Sequence, residues 1–277
     1  MFRFDVSDEI TYWDSSDGLI RVHYSTSGPN MTRLTDADED LVPDYVATVA
    51  AVAEKSLGYF KEELQLRAIP RESDFTLGND GGSEALDIYL IDFGGSSDGY
   101  LGREGCRPSI GCAVYVVIEN DFYGYGYGTV TEGIETVVSH ELFHGVQTAY
   151  NAELPVWISE GTAVWATHQV YPGLSDFRRF SNEYLKQTAR SLYRPPAGPV
   201  PAFAYGTGFW WEFITLRQDD LLMVEFLEAW LGLSGEDDFV APMMEVLASR
   251  RDLPAGFWLD FAGFCLGTGK LAGIFGD

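Results

Sequence analysis

The order of secondary-structure signals along these 277 residues predicts an α+β fold, with a mixed β-sheet in the first half and helices in the second. Two observations carry this reading. Apolar runs of strand length cluster before residue 120, and helical spacing takes over after Pro172. Leu19 to Ser25 alternates as a strand. From Asp44 to Leu64, the residues Val46, Val49, Ala53, Leu57, Phe60 and Leu64 recur at three- and four-residue steps, the period of an amphipathic helix. Leu86 to Phe93 and Cys112 to Glu119 read as buried strands separated by a Gly/Ser-rich loop. Asp121 to Gly128, rich in Tyr and Gly, leads into a helix of about Thr131 to Tyr150. Segments near 176–190, 206–217, 220–232, 236–250 and 255–266 follow as helices, with Pro195 to Pro201 as an extended break. The expected organisation is one domain over residues 1–277, with sub-lobes of about 1–150 and 151–277.

Composition narrows the function classes. With 46% hydrophobic residues, the chain can bury a large core. Forty-two acids against eighteen bases give a net charge of −24, which argues against nucleic acid and anionic membrane surfaces as partners. Only four of the bases are lysine. An acidic, lysine-poor surface suits an exported, soluble protein, and equally one from a salt-tolerant organism. Cys106 and Cys112 enclose a short turn and are spaced for a local disulfide in an oxidising compartment, although two small buried thiols fit as well. Cys265 sits in an apolar run and reads as a buried thiol. No stretch reaches membrane-spanning length, and residues 1–5 lack the apolar core of a signal peptide, so an exported protein would have its leader outside this chain.

The chemistry-bearing motif is His140-Glu141-Leu142-Phe143-His144. On a helix, residues at i and i+4 share a face, so both imidazoles can reach one metal ion. Glu141 projects from a neighbouring face, where it can act as a base on activated water. A catalytic zinc site needs a third protein ligand and an open position. Trp157-Ile158-Ser159-Glu160-Gly161 begins shortly downstream, after the helix-breaking Asn151 to Pro155. Ser159 is placed as the N-cap of a second helix, with Glu160 in its first turn. A carboxylate there is also favoured by the helix dipole alone.

These residues resemble the gluzincin metallopeptidases, the clan of thermolysin and aminopeptidase N, whose shared pattern is His-Glu-x-x-His followed by a distant glutamate in a segment like Trp-x-x-Glu-Gly. The resemblance implies His140, His144 and Glu160 as zinc ligands and Glu141 as general base. It also implies a zincin-like fold, in which the sheet packs on the metal helix, a helical lobe closes a cleft, and an edge strand aligns the substrate. Ala113 to Glu119 is the candidate for that strand.

A second motif, Asp36-Ala37-Asp38-Glu39-Asp40-Leu41-Val42-Pro43-Asp44, places carboxylates at positions 1, 3, 5 and 9 of a loop, with the Val42 carbonyl near position 7. Calcium prefers six to eight oxygen ligands, and this spacing supplies several. The pattern resembles the Asp-x-Asp-x-Asp-Gly loops of thrombospondin type-3 repeats and EF-hands. Leu41 stands where glycine makes the turn, and Ala47 where an acid is usual. A solvated acidic cap on the helix from Asp44 is the plainer alternative.

With residues 21–28, 87–92 and 113–118, the two motifs resemble a bacterial family regarded as secreted zinc metalloproteases, described mainly from myxobacteria. That resemblance spans about residues 19 to 265. It implies an extracellular hydrolase of peptides or proteins holding zinc and calcium, expected to be a monomer. Aminopeptidase N-type relatives stabilise the oxyanion with a tyrosine after the glutamate ligand. Ala204-Tyr205-Gly206 resembles that segment and makes Tyr205 the first choice for this role. His168 is the second choice, although a solvent-facing helix residue is the plainer reading. His23 reads as a strand residue without a catalytic role, and Trp157, Trp210 and Trp211 as core or cleft wall. Two rivals to the endopeptidase stand. Ile118-Glu119-Asn120 sits a similar distance upstream as the N-terminus-binding Glu-Asn of aminopeptidase N-type enzymes, without the Gly-x-Met that precedes it there. A calcium-stabilised binding protein with an inert metal site would carry the same ligands.

Overall fold

In the computed structural model, the described residues are 3–75, 81–107, 109–192, 200–219, 221–234, 237–250 and 256–267. The chain divides into two compact units, one of residues 1–152 and 166–176, the other of 153–165 and 177–277.

Parallel strands need crossover connections and burial on both faces, and the first unit shows both. Its strands are β1 (Ile10–Asp14), β2 (Ile20–Ser25), β3 (Leu86–Ile91), β4 (Gly99–Arg107) and β5 (Gly111–Glu119). They form a mixed sheet in the order β1-β2-β3-β5-β4. The central pairs β2/β3 and β3/β5 are parallel, while β1 and β4 add antiparallel edges. Two of the strands are additions to the sequence reading. β1 precedes the first expected strand, and β4 occupies part of the expected Gly/Ser-rich loop. The order also corrects the expected edge strand: β5 has neighbours on both sides, and the edge beside it is β4.

Val22, Ile88, Val116 and Leu101 lie in register across the sheet. On this face pack α1 (Asp44–Glu62) and α2 (Val130–Thr148), which also pack on each other. Phe60 meets Phe143 edge-to-face at 5.2 Å, and the buried hydroxyls of Ser56 and Ser139 lie 2.9 Å apart. The opposite face carries an aromatic row, with His23 stacked on Tyr89 and bonded to the buried Asp87 carboxylate at 2.7 Å. His23 is thus a paired sheet residue, as expected.

The start of α2 is set by local chemistry. Thr129 Oγ1 accepts the Glu132 N–H at 3.0 Å, and Glu132 reaches back to accept the Gly128 N–H at 2.9 Å, forming a capping box. Glu132 also accepts from the Ser175 hydroxyl at the start of α4 (Ser175–Leu185), and these bonds hold its carboxyl below the usual range.

The second unit is helical and aromatic. It contains the first ten residues of α3 (Val156–Val170), most of α4, and α5 (Ala202–Gly206), α6 (Gly208–Arg217), α7 (Leu222–Ala229), α8 (Val240–Ser249) and α9 (Phe257–Cys265). Trp210, Trp211, Phe213, Phe226 and Trp230 are fully buried here. Trp157 stacks on Trp211 at 5.5 Å, so the three tryptophans in question are core. Cys265 is only half-buried, which corrects the expectation of a buried thiol, and its pKa is still raised to about 11 by desolvation. Most of the expected break at Pro195 to Pro201 lies outside the described residues, and Pro201 itself precedes α5. No helix among the described residues is long and apolar enough to cross a membrane.

Cys106 and Cys112 are cross-strand partners at the tip of the β4–β5 hairpin and form a disulfide. The six-residue separation closes a small loop, for which chain entropy gives about 2 kcal/mol. The double variant Cys106→Ser/Cys112→Ser is expected to lose that much stability in urea unfolding. Identical midpoints for the parent with and without reductant would show that the bridge contributes nothing.

Candidate metal centre

Two histidines one turn apart share a helix face, and the residues around them fix where that face points. Leu142 and Phe143, between the histidines, are fully buried. Gly145, next in line, sits so close to Ile69 that a Cβ there would lie 2.7 Å from its Cδ1, with Leu101 of β4 at 3.4 Å. A larger side chain there would have to displace the tip of Ile69. The outward side then presents His140 and His144, both half-buried, with ring centroids 4.7 Å apart and rings nearly perpendicular. Their Nε2 atoms are 3.1 Å apart. Zinc–nitrogen bonds of about 2.0–2.1 Å from both atoms to one ion would subtend about 100°, close to a tetrahedral angle. His144 Nδ1 is 2.9 Å from the side-chain oxygen of Gln147, one turn further along.

The third residue comes from α3. The helix begins at Val156, directly after Pro155, whose carbonyl accepts the Ile158 and Ser159 N–H groups at 2.8 and 2.9 Å. This corrects the expected N-cap. Ser159 lies inside the helix, and Glu160 is beyond the first turn, which contains no acid. The helix dipole therefore does not account for Glu160, since that effect fades within the first turn. Trp157 and Gly161 hold this stretch in its own unit. A Cβ at Gly161 would lie 2.0 Å from Thr207 Oγ1 and 2.8 Å from Trp211 Nε1, so only glycine lets α3 approach this closely. Thr207 Oγ1 in turn bonds the Trp157 carbonyl at 2.6 Å.

The donor atoms of His140, His144 and Glu160 all lie within 4.8 Å of one another, a spacing that one cation can draw together. Two imidazoles with one carboxylate suit zinc and leave a coordination position open. Glu141, next to the first ligand, is half-buried on α2 and is not in this group.

The remaining expected site residues have other settings. Tyr205 is half-buried on α5, its ring stacked on Phe180 at 4.7 Å. His168 is not solvent-facing: desolvation lowers its pKa to about 4, so it is neutral at physiological pH. In the Asp loop, Asp36, Asp38 and Asp40 offer oxygens within 4.8 Å of one another. Asp44 is not in this group. It opens α1, and its carboxylate accepts the Ala37 N–H at 3.1 Å. Val42 donates its N–H to Asp40 at 2.8 Å. Leu41 takes φ +73°, the left-handed turn that glycine usually makes at that loop position.

Glu119 and Asn120 are hydrogen-bonded into the fold. The Glu119 carboxylate accepts from the Phe93 and Asn120 N–H groups at 3.0 and 3.1 Å and from the Tyr125 hydroxyl at 2.6 Å. Burial is the main influence on Glu119 and leaves its pKa raised despite these donors. Asn120 donates to the Met31 carbonyl at 3.1 Å and accepts from the Thr32 hydroxyl at 2.9 Å.

No protein-family model matches the chain, and no curated protein matches it. The site therefore stands on its own geometry. The sequence reading missed Gln147, whose i, i+3 spacing from His144 was the available signal.

If Glu160 completes the donor set, Glu160→Ala should lower zinc content below one ion per chain after dialysis, by elemental analysis. Unchanged stoichiometry would remove Glu160 from the ligands.

Proposed function

We propose that this chain is a zinc-dependent peptidase of gluzincin type that cleaves peptide or protein substrates, with endopeptidase action favoured. The observation that carries the proposal is the grouping of His140, His144 and Glu160 with Glu141 beside the first histidine. His140, His144 and Glu160 would hold zinc, which when bound would supply Lewis acidity toward a water and the scissile carbonyl. Glu141 takes the proton from the attacking water and returns it to the leaving amine. Tyr205 is assigned as the oxyanion stabiliser, its hydroxyl donating to the charge that develops on the carbonyl oxygen. The edge strand β4 is assigned to align an extended substrate by strand addition.

The aminopeptidase alternative needs Glu119 to bind a substrate ammonium. Its carboxylate is instead engaged by two backbone N–H groups and the Tyr125 hydroxyl, which favours the endopeptidase. An extracellular setting is supported by the disulfide, which persists in oxidising compartments. We assign the Asp36, Asp38 and Asp40 cluster to calcium, because a hard cation prefers carboxylate oxygens and would offset their mutual repulsion.

Glu141→Gln should retain zinc and lower casein cleavage by about 10²–10⁴-fold. Parent-like cleavage by that variant refutes the base assignment. An aminoacyl chromogen assayed beside casein, with and without chelator, separates the readings. Casein-only activity supports the endopeptidase, chromogen turnover the aminopeptidase, and neither the inert binding protein. Millimolar calcium added to the chelated protein should raise its melting temperature by linkage, and by less in Asp38→Asn. A melting temperature indifferent to calcium would remove the ion from the Asp loop.

A further inference from the structure

We infer that Gln147 is a positioning residue of the metal centre: its side-chain oxygen selects the tautomer of His144 that can bind a cation. The inference rests on the reading of His140, His144 and Glu160 as a zinc site. A neutral imidazole has one N–H and one lone pair, and the hydrogen bond made by one nitrogen decides where the lone pair lies. His144 Nδ1 is 2.9 Å from Gln147 Oε1. An amide oxygen can only accept, so Nδ1 keeps the proton and Nε2 carries the lone pair. Nε2 is the nitrogen turned toward His140 Nε2, 3.1 Å away, and so toward the shared donor group. The opposite tautomer would aim an N–H at the cation and remove His144 from the ligand set.

Three features make Gln147 effective in this role. It lies three residues beyond His144 on the same helix, so helical geometry keeps it in reach. It is only 4% exposed, so water does not compete strongly for the bond. Its own carbonyl accepts the Tyr150 and Asn151 N–H groups at 2.9 and 2.8 Å, which fixes the backbone at the end of α2. Leucine or methionine would fill the same volume without polar atoms, so packing alone does not call for an amide here.

The test is zinc affinity, measured on the full chain by competition with a chromophoric chelator. Parent, Gln147→Leu, Gln147→Met and Gln147→Glu are compared, with thermal unfolding of each metal-stripped protein alongside. Gln147→Leu and Gln147→Met are expected to bind zinc about 10–100-fold more weakly, while the stripped proteins unfold at no lower temperature than the parent. Gln147→Glu keeps an accepting oxygen and is expected to restore at least the parent affinity. Parent-like affinity in the Leu and Met variants overturns the inference. So does a Glu variant as weak as these, or weakening accompanied by a destabilised metal-free protein, which would mean a purely structural role. A parent chain that takes up no zinc is a separate result: it overturns the metal reading itself, and this inference with it.

Discussion

His140 and His144 share one face of α2 by their spacing, and that face is turned away from the core because the other is held by Leu142, Phe143 and the close approach of Gly145 to Ile69. If α2 turned by the 100° that separates successive helix residues, the imidazoles would enter the core and Leu142 would face solvent. Such a turn would expose side chains each worth about 2–3 kcal/mol of burial. The buried Ser56–Ser139 bond and the capping box at Thr129 fix the same helix lengthwise. The apolar packing of the sheet-bearing unit thus sets where the imidazole pair points, and the proposed metal site depends on that packing.

Charge is managed differently in the two acidic regions. Glu119 is buried, but three donors surround its carboxylate, so it can stay in the core at modest cost. Asp36, Asp38 and Asp40 are more exposed and crowd together in a chain of net charge −24. The backbone around them is held at φ +61° at Glu39 and +73° at Leu41, each costing roughly 1–2 kcal/mol for a residue with a Cβ. The Asp40 and Leu41 N–H groups, both bonded to Asp36, offset part of this. The remaining repulsion is what a divalent cation would relieve.

Features that depend on local spacing were legible in the sequence. α1 and α2 fall within about two residues of their predicted limits because their apolar period is strong. What failed was non-local or ambiguous. β4 contains Gly99, Gly102 and Gly105 and lies at the sheet edge, so it lacks the apolar run of a core strand. Its insertion outside β5 makes β5 interior, and no local pattern encodes that order. Ser159 looked like a helix cap, but Pro155 starts α3 earlier. His168 was misjudged because α3 is buried almost all round, leaving no polar stripe to show which way a histidine points. Glu160 as a partner for the histidines was suggested only by the Trp-x-x-Glu-Gly pattern. The contacts that hold its stretch of α3 within its own unit, Trp157 on Trp211 and Gly161 against Thr207, required the fold.

The same distinction separates the two candidate peptidase types. A glutamate upstream of a metal helix can serve a substrate or serve the fold, and its hydrogen-bond partners indicate which. Around Glu119 the donors come from Phe93, Asn120 and Tyr125, in the segments that flank β3 and lead from β5 toward α2. The Tyr45 hydroxyl, at the start of α1, bonds the Glu119 carbonyl at 2.6 Å. Glu119 therefore joins α1, the end of β3 and the Tyr/Gly loop at one buried point before α2 begins. A substrate ammonium would have to compete with those donors for the carboxylate, at a cost in hydrogen bonding, although the half-exposed Tyr125 hydroxyl keeps the Ser97 carbonyl as a second partner. That cost favours a peptidase that holds its substrate by the backbone over one that reads a free N-terminus through Glu119.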